Sequence, residues 1–179
     1  MVVYIDPDIF GKFGKDTAPF PEEKRLVHGH FKATRYEGSD AFTFTFLRHP
    51  VDQMLSWYFY WLEHPDMGGE HMDRFNRERP TILEFAKTDR YAVAMSEVYF
   101  GGFDMRRLDF IGFHETRSAD MAALGEKLGI ALSPDVHSNP TAPHSLRQTV
   151  LEDPTTMAKL RTLLAADIAF YENALLLRA

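Results

Sequence analysis

The sequence predicts an α/β domain in which helices flank a mostly parallel sheet. Short runs of aromatic and β-branched residues, at 42–47 and 110–113, are typical of buried strands. Each run is followed by a segment with apolar residues at helical spacing, at 50–63 and 118–128. Strands that alternate with helices in this way favour a parallel sheet. No repeat or linker divides the chain, so we expect one domain over residues 1–179.

The first third of the chain contains two more candidate strands. Apolar runs at 2–5 and 26–31 predict these strands, and the loop-like segment between them is rich in Gly and Pro. Pro50 suits the first position of the helix that follows the strand at 42–47, because the N–H that proline lacks is not needed there.

The second half of the chain is predicted to be more helical. Thr81 is a candidate cap for a helix that runs intermittently over 82–99. Gly129 is expected to end the helix at 118–128. Residues 131–150 contain three prolines and are predicted to be mostly loop. A single long helix is expected over 154–177, with one apolar side.

Composition and charge exclude several classes of protein. The net charge of −6 argues against a nucleic-acid surface, which needs clustered Lys and Arg. The absence of Cys excludes disulfides, thiolate catalysis and cysteine-based zinc sites. No uncharged stretch approaches the roughly 20 residues of a membrane span, and no signal peptide is recognised. We therefore expect a soluble cytoplasmic protein, and the oligomeric state stays open.

The junction that follows the strand at 42–47 is the clearest candidate for anion binding. A strand that ends at a helix N-terminus places free N–H groups and the positive end of the helix dipole near an anion. Arg48 adds a planar, permanently charged fork that matches phosphate oxygens. Ser56 lies about two turns into the predicted helix and can add a hydroxyl. A surface Arg and a helix Ser with no shared role is the alternative interpretation.

The segment 48–58, Arg-His-Pro-Val-Asp-Gln-Met-Leu-Ser-Trp-Tyr, resembles the motif with which sulfotransferases bind the 3′-phosphate of 3′-phosphoadenosine 5′-phosphosulfate (PAPS). That motif is usually Arg-Asp-Pro-x-x-Arg-x-x-Ser, followed by an aromatic residue. The resemblance implies a P-loop-NTPase-like sulfotransferase fold, with Arg48 and Ser56 as ligands of the 3′-phosphate. The sequence departs from the motif at His49, where Asp is usual, and at Gln53, where Arg is usual.

The segment 27–31, Val-His-Gly-His-Phe, resembles the His-Gly-His motif of the carbohydrate 2-O-sulfotransferases, a branch that includes the heparan sulfate enzymes. The resemblance implies that His30 removes the proton of the acceptor hydroxyl and that His28 is its partner, although the two roles are exchangeable. Imidazole titrates near neutrality and is the commonest general base. In a strand both side chains would project from one face. Two ordinary polar residues at a strand end are the alternative.

Three weaker matches lie further along the chain. The segment 144–149, His-Ser-Leu-Arg-Gln-Thr, resembles a His-Leu-Arg-x-Thr stretch in a loop that closes over the cofactor of the same branch. This match implies Arg147 and Thr149 as further cofactor contacts. The segment that ends at Glu115 resembles Phe-x-Gly-x-x-Glu, and 167–171 resembles the family's closing Asp-x-x-Phe-Tyr. We interpret both as structural, with Glu115 capping or orienting its neighbours.

One element of the family is not recognised in the sequence. Sulfotransferases begin with a strand and a P-loop-like turn, Pro-Lys-x-Gly/Ala-x-Thr/Ser, that cradles the 5′-phosphosulfate. The segment 10–17 carries Gly, Lys and Thr in another order and is a candidate for a degenerate substitute. The expected fold therefore lacks the N-terminal strand-loop-helix. Either the chain begins inside a longer product or the phosphosulfate site has been lost.

Three functions stay open on the sequence. The leading one is a sulfotransferase that moves a sulfuryl group from PAPS to a hydroxyl, expected on a carbohydrate, and releases adenosine 3′,5′-bisphosphate (PAP) without a metal. The second is a catalytically incompetent relative that binds PAP or serves as an interaction module. The third is a metal-dependent hydrolase built on His28 and His30, although the carboxylates usual for such sites are absent around residues 26–36.

Overall fold

A computed structural model describes residues 3–6, 26–88, 90–133 and 145–178. The candidate substitute for the P-loop at 10–17 lies outside these ranges, as does most of the predicted loop before residue 145.

The described strands form two separate parallel pairs. They are β1 (Val3–Asp6), β2 (Leu26–Gly29), β3 (Phe44–Leu47) and β4 (Phe110–Phe113). β1 pairs with β2 and β3 pairs with β4, each along its full length. The predicted α/β class is confirmed. However, the expectation of one mostly parallel sheet is not met within the described ranges, where two two-stranded sheets form instead.

Most of the described residues are helical. The α-helices are α1 (Pro50–Glu63), α2 (Glu70–Glu78), α3 (Ile82–Ala86), α4 (Arg117–Leu128), α5 (Ser145–Glu152), α6 (Pro154–Leu163) and α7 (Ala165–Arg178). Short 3₁₀ turns occur at Ala33–Tyr36, Pro65–Met67, Tyr91–Val93, Met105–Arg107 and His114–Thr116, and a π-helix occurs at Ala94–Tyr99. None of the helices in the described ranges is long and apolar enough to cross a membrane.

Helix ends occur where the local residue chemistry predicts them. α1 starts at Pro50, as expected for a proline at the first helical position. The hydroxyl of Thr81 accepts from the backbone N–H of Glu84, whose carboxylate accepts in turn from Thr81, so α3 begins with a complete capping box. Gly129 ends α4 with a left-handed φ of 66°, which glycine adopts without steric cost.

Two helical predictions in the second half of the chain are wrong in detail. The single helix expected over 154–177 is two helices, because Leu164 leaves helical geometry between α6 and α7 and buries its side chain almost completely. No Pro or Gly marks this break, so the sequence pattern does not reveal it. The predicted loop over 131–150 contains α5 in its last part. The expected helix over 82–99 ends early at Ala86 and resumes as 3₁₀ and π turns.

Within the described ranges, the core consists of two apolar clusters. The larger one joins α1, α2, α3 and α6 around the fully buried side chains of Leu55, Phe59 and Leu160. The smaller one lies under the β3–β4 pair and includes Leu47, Phe113 and, from α7, Tyr171. α1 packs in the first cluster and begins at the end of β3, which belongs to the second. Burial of both clusters therefore fixes the junction between β3 and α1.

The capping box of α3 gives a test of the fold. Replacing Thr81 by Ala removes the hydroxyl that satisfies the N–H of Glu84, and we expect the free energy of unfolding to fall by about 1 kcal/mol. Thr81→Ser keeps the oxygen and should stay within a few tenths of a kcal/mol of the original protein, roughly. Urea denaturation of the three proteins measures both differences. An equal loss in the Ser and Ala variants would contradict this account of the cap.

Candidate functional site

A cavity of about 320 Å³ opens at the carboxyl ends of β3 and β4. Its walls combine apolar, polar and cationic side chains: Phe46, Leu47, Arg48, Gln53, His114, Arg117 and Met121. In α/β proteins, ligands bind preferentially in the crevice outside the carboxyl ends of parallel strands. Gly112 leaves room for the ring of Phe46 in this wall, because a Cβ at position 112 would lie only 2.5 Å from that ring.

Arg48 is the central cation of the cavity. It follows β3 directly, and its side chain is half-buried. Burial lowers the pKa of Arg48; the carboxylates of Asp52 and Glu115 oppose the shift, and the charge of Arg147 adds to it. Among the described residues, no carboxylate forms an ion pair with the Arg48 guanidinium, and no hydrogen bond engages it. Arg48 is therefore a partly desolvated cation with donors available to an anion.

The N-terminus of α1 does not offer the row of free N–H groups expected from the sequence. The N–H of His49 donates to the Oε1 atom of Glu115 at 2.7 Å, and Pro50 has no N–H. The N–H of Val51 donates to the Nδ1 atom of His49 at 3.3 Å, which caps the helix. The first turn also carries Asp52, whose charge complements the helix dipole. Anion binding at this junction must therefore depend on side chains.

Ser56 lies in the second turn of α1, and its side chain is half-buried. It is three residues beyond Gln53, which lines the cavity, so both side chains lie on the same face of the helix. Ser56 itself is not part of the cavity wall. It stands one helical turn further from the strand ends than Gln53 does.

The two residues predicted from segment 144–149 differ in their placement. Both lie on α5, a helix, and not on the loop that the resemblance implies. Arg147 is half-buried and close enough to Arg48 for its charge to lower the pKa of Arg48. Thr149 is exposed and two positions further along the helix, so it points away from the face of Arg147. The structure thus brings the charge of Arg147, and not Thr149, near Arg48, although neither residue is part of the cavity wall.

The histidine pair lies at the end of β2. His28 belongs to the strand and His30 follows it, and both side chains are exposed. Burial lowers the pKa of His30, and the nearby charge of His28 lowers it further. The two imidazoles are therefore close together, as expected. In the described part of the chain, no hydrogen bond or charge interaction links them to Arg48.

Tyr99 is the partner of His30, and the sequence patterns did not single it out. Its hydroxyl lies 3.4 Å from the Nδ1 atom of His30, and the two ring centroids are 6.1 Å apart. Burial raises the pKa of Tyr99 to about 12, so the phenol stays neutral at physiological pH. Tyr99 ends the π-helix, a position that only the packing of this segment determines.

Glu115 orients its neighbours, as the sequence predicts. Its two oxygens accept from the His49 N–H at 2.7 Å and from the Tyr171 hydroxyl at 2.8 Å. Although desolvation pushes the pKa of Glu115 upward, these hydrogen bonds and the nearby His114 bring the pKa below its ordinary value. The carboxylate therefore stays ionised and connects the end of β4 to the start of α1 and to α7.

The closing segment 167–171 is also structural. The buried carboxylate of Asp167 accepts from the backbone N–H groups of Met95 and Ser96 and from the Ser96 hydroxyl, so it caps the π-helix. Desolvation nevertheless raises the pKa of Asp167, against the lowering effect of these hydrogen bonds. Asp167 and Tyr171 thus fasten α7 to the elements that carry Tyr99 and Glu115.

Sequence reasoning missed His114 and Arg117 as residues of the site. Both follow β4 as Arg48 follows β3, and the carboxyl ends of paired parallel strands meet at one edge. The pairing of 42–47 with 110–113 was the signal that would have identified them.

Among the described residues, no group of three or more His, Asp or Glu side chains is arranged to hold a metal ion.

Comparisons with protein-family models, with curated proteins and with solved structures gave no match to this chain.

The contacts of Glu115 give a second test. Glu115→Ala should lower the free energy of unfolding at pH 7 by about 1 kcal/mol. This value is at the low end of the usual contribution of hydrogen bonds to charged groups, because Glu115 is exposed to solvent. The pKa of Glu115 is lowered on folding, so its stabilisation is present above the unfolded-state pKa and disappears as pH falls through the folded-state value. The difference from the original protein should therefore shrink below pH about 4.

Chemical denaturation between pH 3 and pH 8 measures this difference. Glu172→Ala is the control, because Glu172 is an exposed carboxylate on α7, next to Tyr171. A loss in Glu115→Ala that is the same at pH 3 and pH 8 would show that the carboxylate charge does not matter.

Proposed function

We propose that this chain is a sulfotransferase that binds PAPS through its 3′-phosphate and transfers the sulfuryl group to a hydroxyl of a carbohydrate acceptor. The observation that carries the proposal is Arg48: a half-buried guanidinium, without an ion pair in the described ranges, at the wall of a cavity of about 320 Å³. A phosphate is the natural complement of such a group, because the planar fork donates two parallel hydrogen bonds to its oxygens.

The surroundings of Arg48 support a ligand with more than one negative charge. Arg147 acts on Arg48 from α5, and Arg117 enters the same cavity from α4. Arg147 repels Arg48, and a polyanion bound at Arg48 would relieve this repulsion in addition to the nearby carboxylates of Asp52 and Glu115. Ser56 is the predicted second ligand of the 3′-phosphate and would reach it along the face of α1 that carries Gln53.

The histidine pair supplies the chemistry in this proposal. His30 accepts the proton of the acceptor hydroxyl while the acceptor oxygen forms its bond to sulfur. The bond from sulfur to the bridging phosphate oxygen breaks, and PAP leaves with that electron pair. His28 assists as the neighbouring imidazole, and Arg48 holds the nucleotide by its far end without taking part in bond making.

A catalytically incompetent protein that binds PAP, or an interaction module, is the second candidate. It is favoured by the contacts of the histidines, which link them to each other and to Tyr99 but, among the described residues, not to the cavity. Anion binding in the cavity requires neither histidine, so binding can persist without transfer.

Titration calorimetry with PAP tests the binding half of the proposal. We expect micromolar affinity for the original chain and a loss of about 10- to 100-fold in Arg48→Ala, the range for one charge-assisted hydrogen-bonded pair. Arg48→Lys should recover part of the loss, because it keeps the charge without the fork.

Arg106→Ala is the matched control for Arg48→Ala. Arg106 is an exposed arginine paired with Asp104 before the start of β4, at the opposite end of the same sheet. Equal losses in the Arg48 and Arg106 variants would show that only the net charge matters. No binding to the folded original chain would rule out the proposed site.

Release of PAP from PAPS tests the catalytic half, in the presence of a panel of polysaccharides and simple sugars. We expect acceptor-dependent release that His30→Gln reduces by roughly 100-fold or more, the usual contribution of a general base. PAP affinity should be unchanged in that variant. Binding without any transfer, in the original chain as in the variant, would favour the binding module.

A further inference from the structure

His114 is a cavity residue to which neither the motifs nor the proposed mechanism assigns a role. It follows the last residue of β4, as Arg48 follows the last residue of β3, and those last residues are paired in the parallel ladder. The backbones therefore deliver Arg48 and His114 side by side at the carboxyl edge. Both side chains line the same cavity, and Arg117 lines it from the start of α4.

The imidazole of His114 is accessible and uncommitted. Its side chain is exposed at the rim of the cavity. Within the described ranges no hydrogen bond engages either ring nitrogen. An anion that occupies the cavity can therefore be reached by this ring without breaking an existing contact.

The groups around His114 carry both signs of charge. Arg48 from the β3–α1 junction and Arg117 from α4 are positive, while Asp52 from α1 and the adjacent Glu115 are negative. Partial desolvation and the two arginines outweigh the carboxylates, so the pKa of His114 lies below its ordinary value. The ring therefore favours its neutral form more than a free imidazole does.

We propose that His114 is a ligand of the phosphate group that binds in this cavity and that it binds this group as imidazolium, so that anion binding takes up a proton. The inference rests on the proposed function only in the identity of the anion. A phosphate held by Arg48 adds negative charge beside the ring and offsets the two arginines. A phosphate oxygen then accepts a charge-assisted hydrogen bond from an N–H of the imidazolium. The neutral ring carries no charge and has a single N–H to donate.

Calorimetry of the full chain at several pH values tests this inference. PAP binding should tighten as pH falls from 8 to 6, by up to about tenfold for each pH unit between the bound-state and the free-state pKa of the ring. Comparison of two buffers with different ionisation enthalpies should give uptake approaching one proton per PAP near pH 7. His114→Gln, which keeps a polar side chain that cannot be protonated, should bind more weakly at pH 6 and lose this uptake.

Inorganic sulfate is the second probe, because it stays a dianion over this pH range and brings no proton of its own. Its binding should show the same dependence on pH in the original chain and little dependence in His114→Gln. The NMR signal of the His114 ring is identified by its absence from the spectrum of His114→Gln. In the original chain, the midpoint of its pH titration should move to higher pH when sulfate is added. His64→Gln, at the far end of α1, is the control and should match the original chain.

The outcomes separate this inference from the proposed function. If PAP binds in an Arg48-dependent manner but His114→Gln keeps the original pH dependence, the role of His114 is wrong and the nucleotide site stands. If sulfate binds with the His114-dependent profile but PAP does not bind, His114 is an anion ligand and the proposed function is wrong. If neither probe binds to the folded chain, both are wrong.

Discussion

The carboxylate of Glu115 is the interaction on which the geometry of the site depends. It follows β4, yet it accepts from the backbone of His49 at the β3–α1 junction and from Tyr171 of α7. The two oxygens of Glu115 therefore connect the end of β4, the β3–α1 junction and α7, which are distant in sequence. The strand pair alone would fix the edge from which Arg48 leaves, but it would not fix the direction of the turn that follows. The hydrogen bond to His49, the residue next to Arg48, supplies that constraint.

The same bond changes the way in which the site can hold an anion. A free helix N-terminus attracts phosphate through its N–H groups, but here Glu115, Pro50 and the His49 ring remove three of those donors. Positive side chains must replace them; Arg48 and Arg117 line the cavity and Arg147 acts on Arg48, in a chain whose net charge is −6. A local concentration of cations against the global charge is expected at a binding site, because repulsion among them has no structural benefit. In the proposed function, a bound phosphate would offset the charges of these arginines together with the carboxylates of Asp52 and Glu115.

The sequence predicted what depends on local chemistry and missed what depends on pairing and packing. Pro50 at the start of α1, Thr81 before α3 and Gly129 after α4 act within one turn of the chain, so their positions could be read directly. The break occurs at Leu164, whose side chain is buried in the larger cluster, and no Pro or Gly marks it in the sequence. Similarly, Arg48 was found through a contiguous motif. His114 became visible only when β3 and β4 were known to be neighbours, 66 residues apart in sequence.

The separation of the histidines from the cavity is compatible with the proposed mechanism, because PAPS carries its 3′-phosphate and its sulfuryl group at opposite ends. A base that touched Arg48 would be at the wrong end of the nucleotide.

As a general base, His30 needs a fixed tautomer, and Tyr99 is placed to supply it. If the neutral phenol oxygen accepts from Nδ1–H, the lone pair of Nε2 faces outward and can take a proton. If the phenol donates instead, Nε2 carries the proton and His30 is not a base in that state. Burial and the His28 charge both disfavour a positive charge on His30, so the pKa of His30 lies below its ordinary value. The assignment of the base therefore depends on the direction of a single hydrogen bond from a residue that no sequence motif contains.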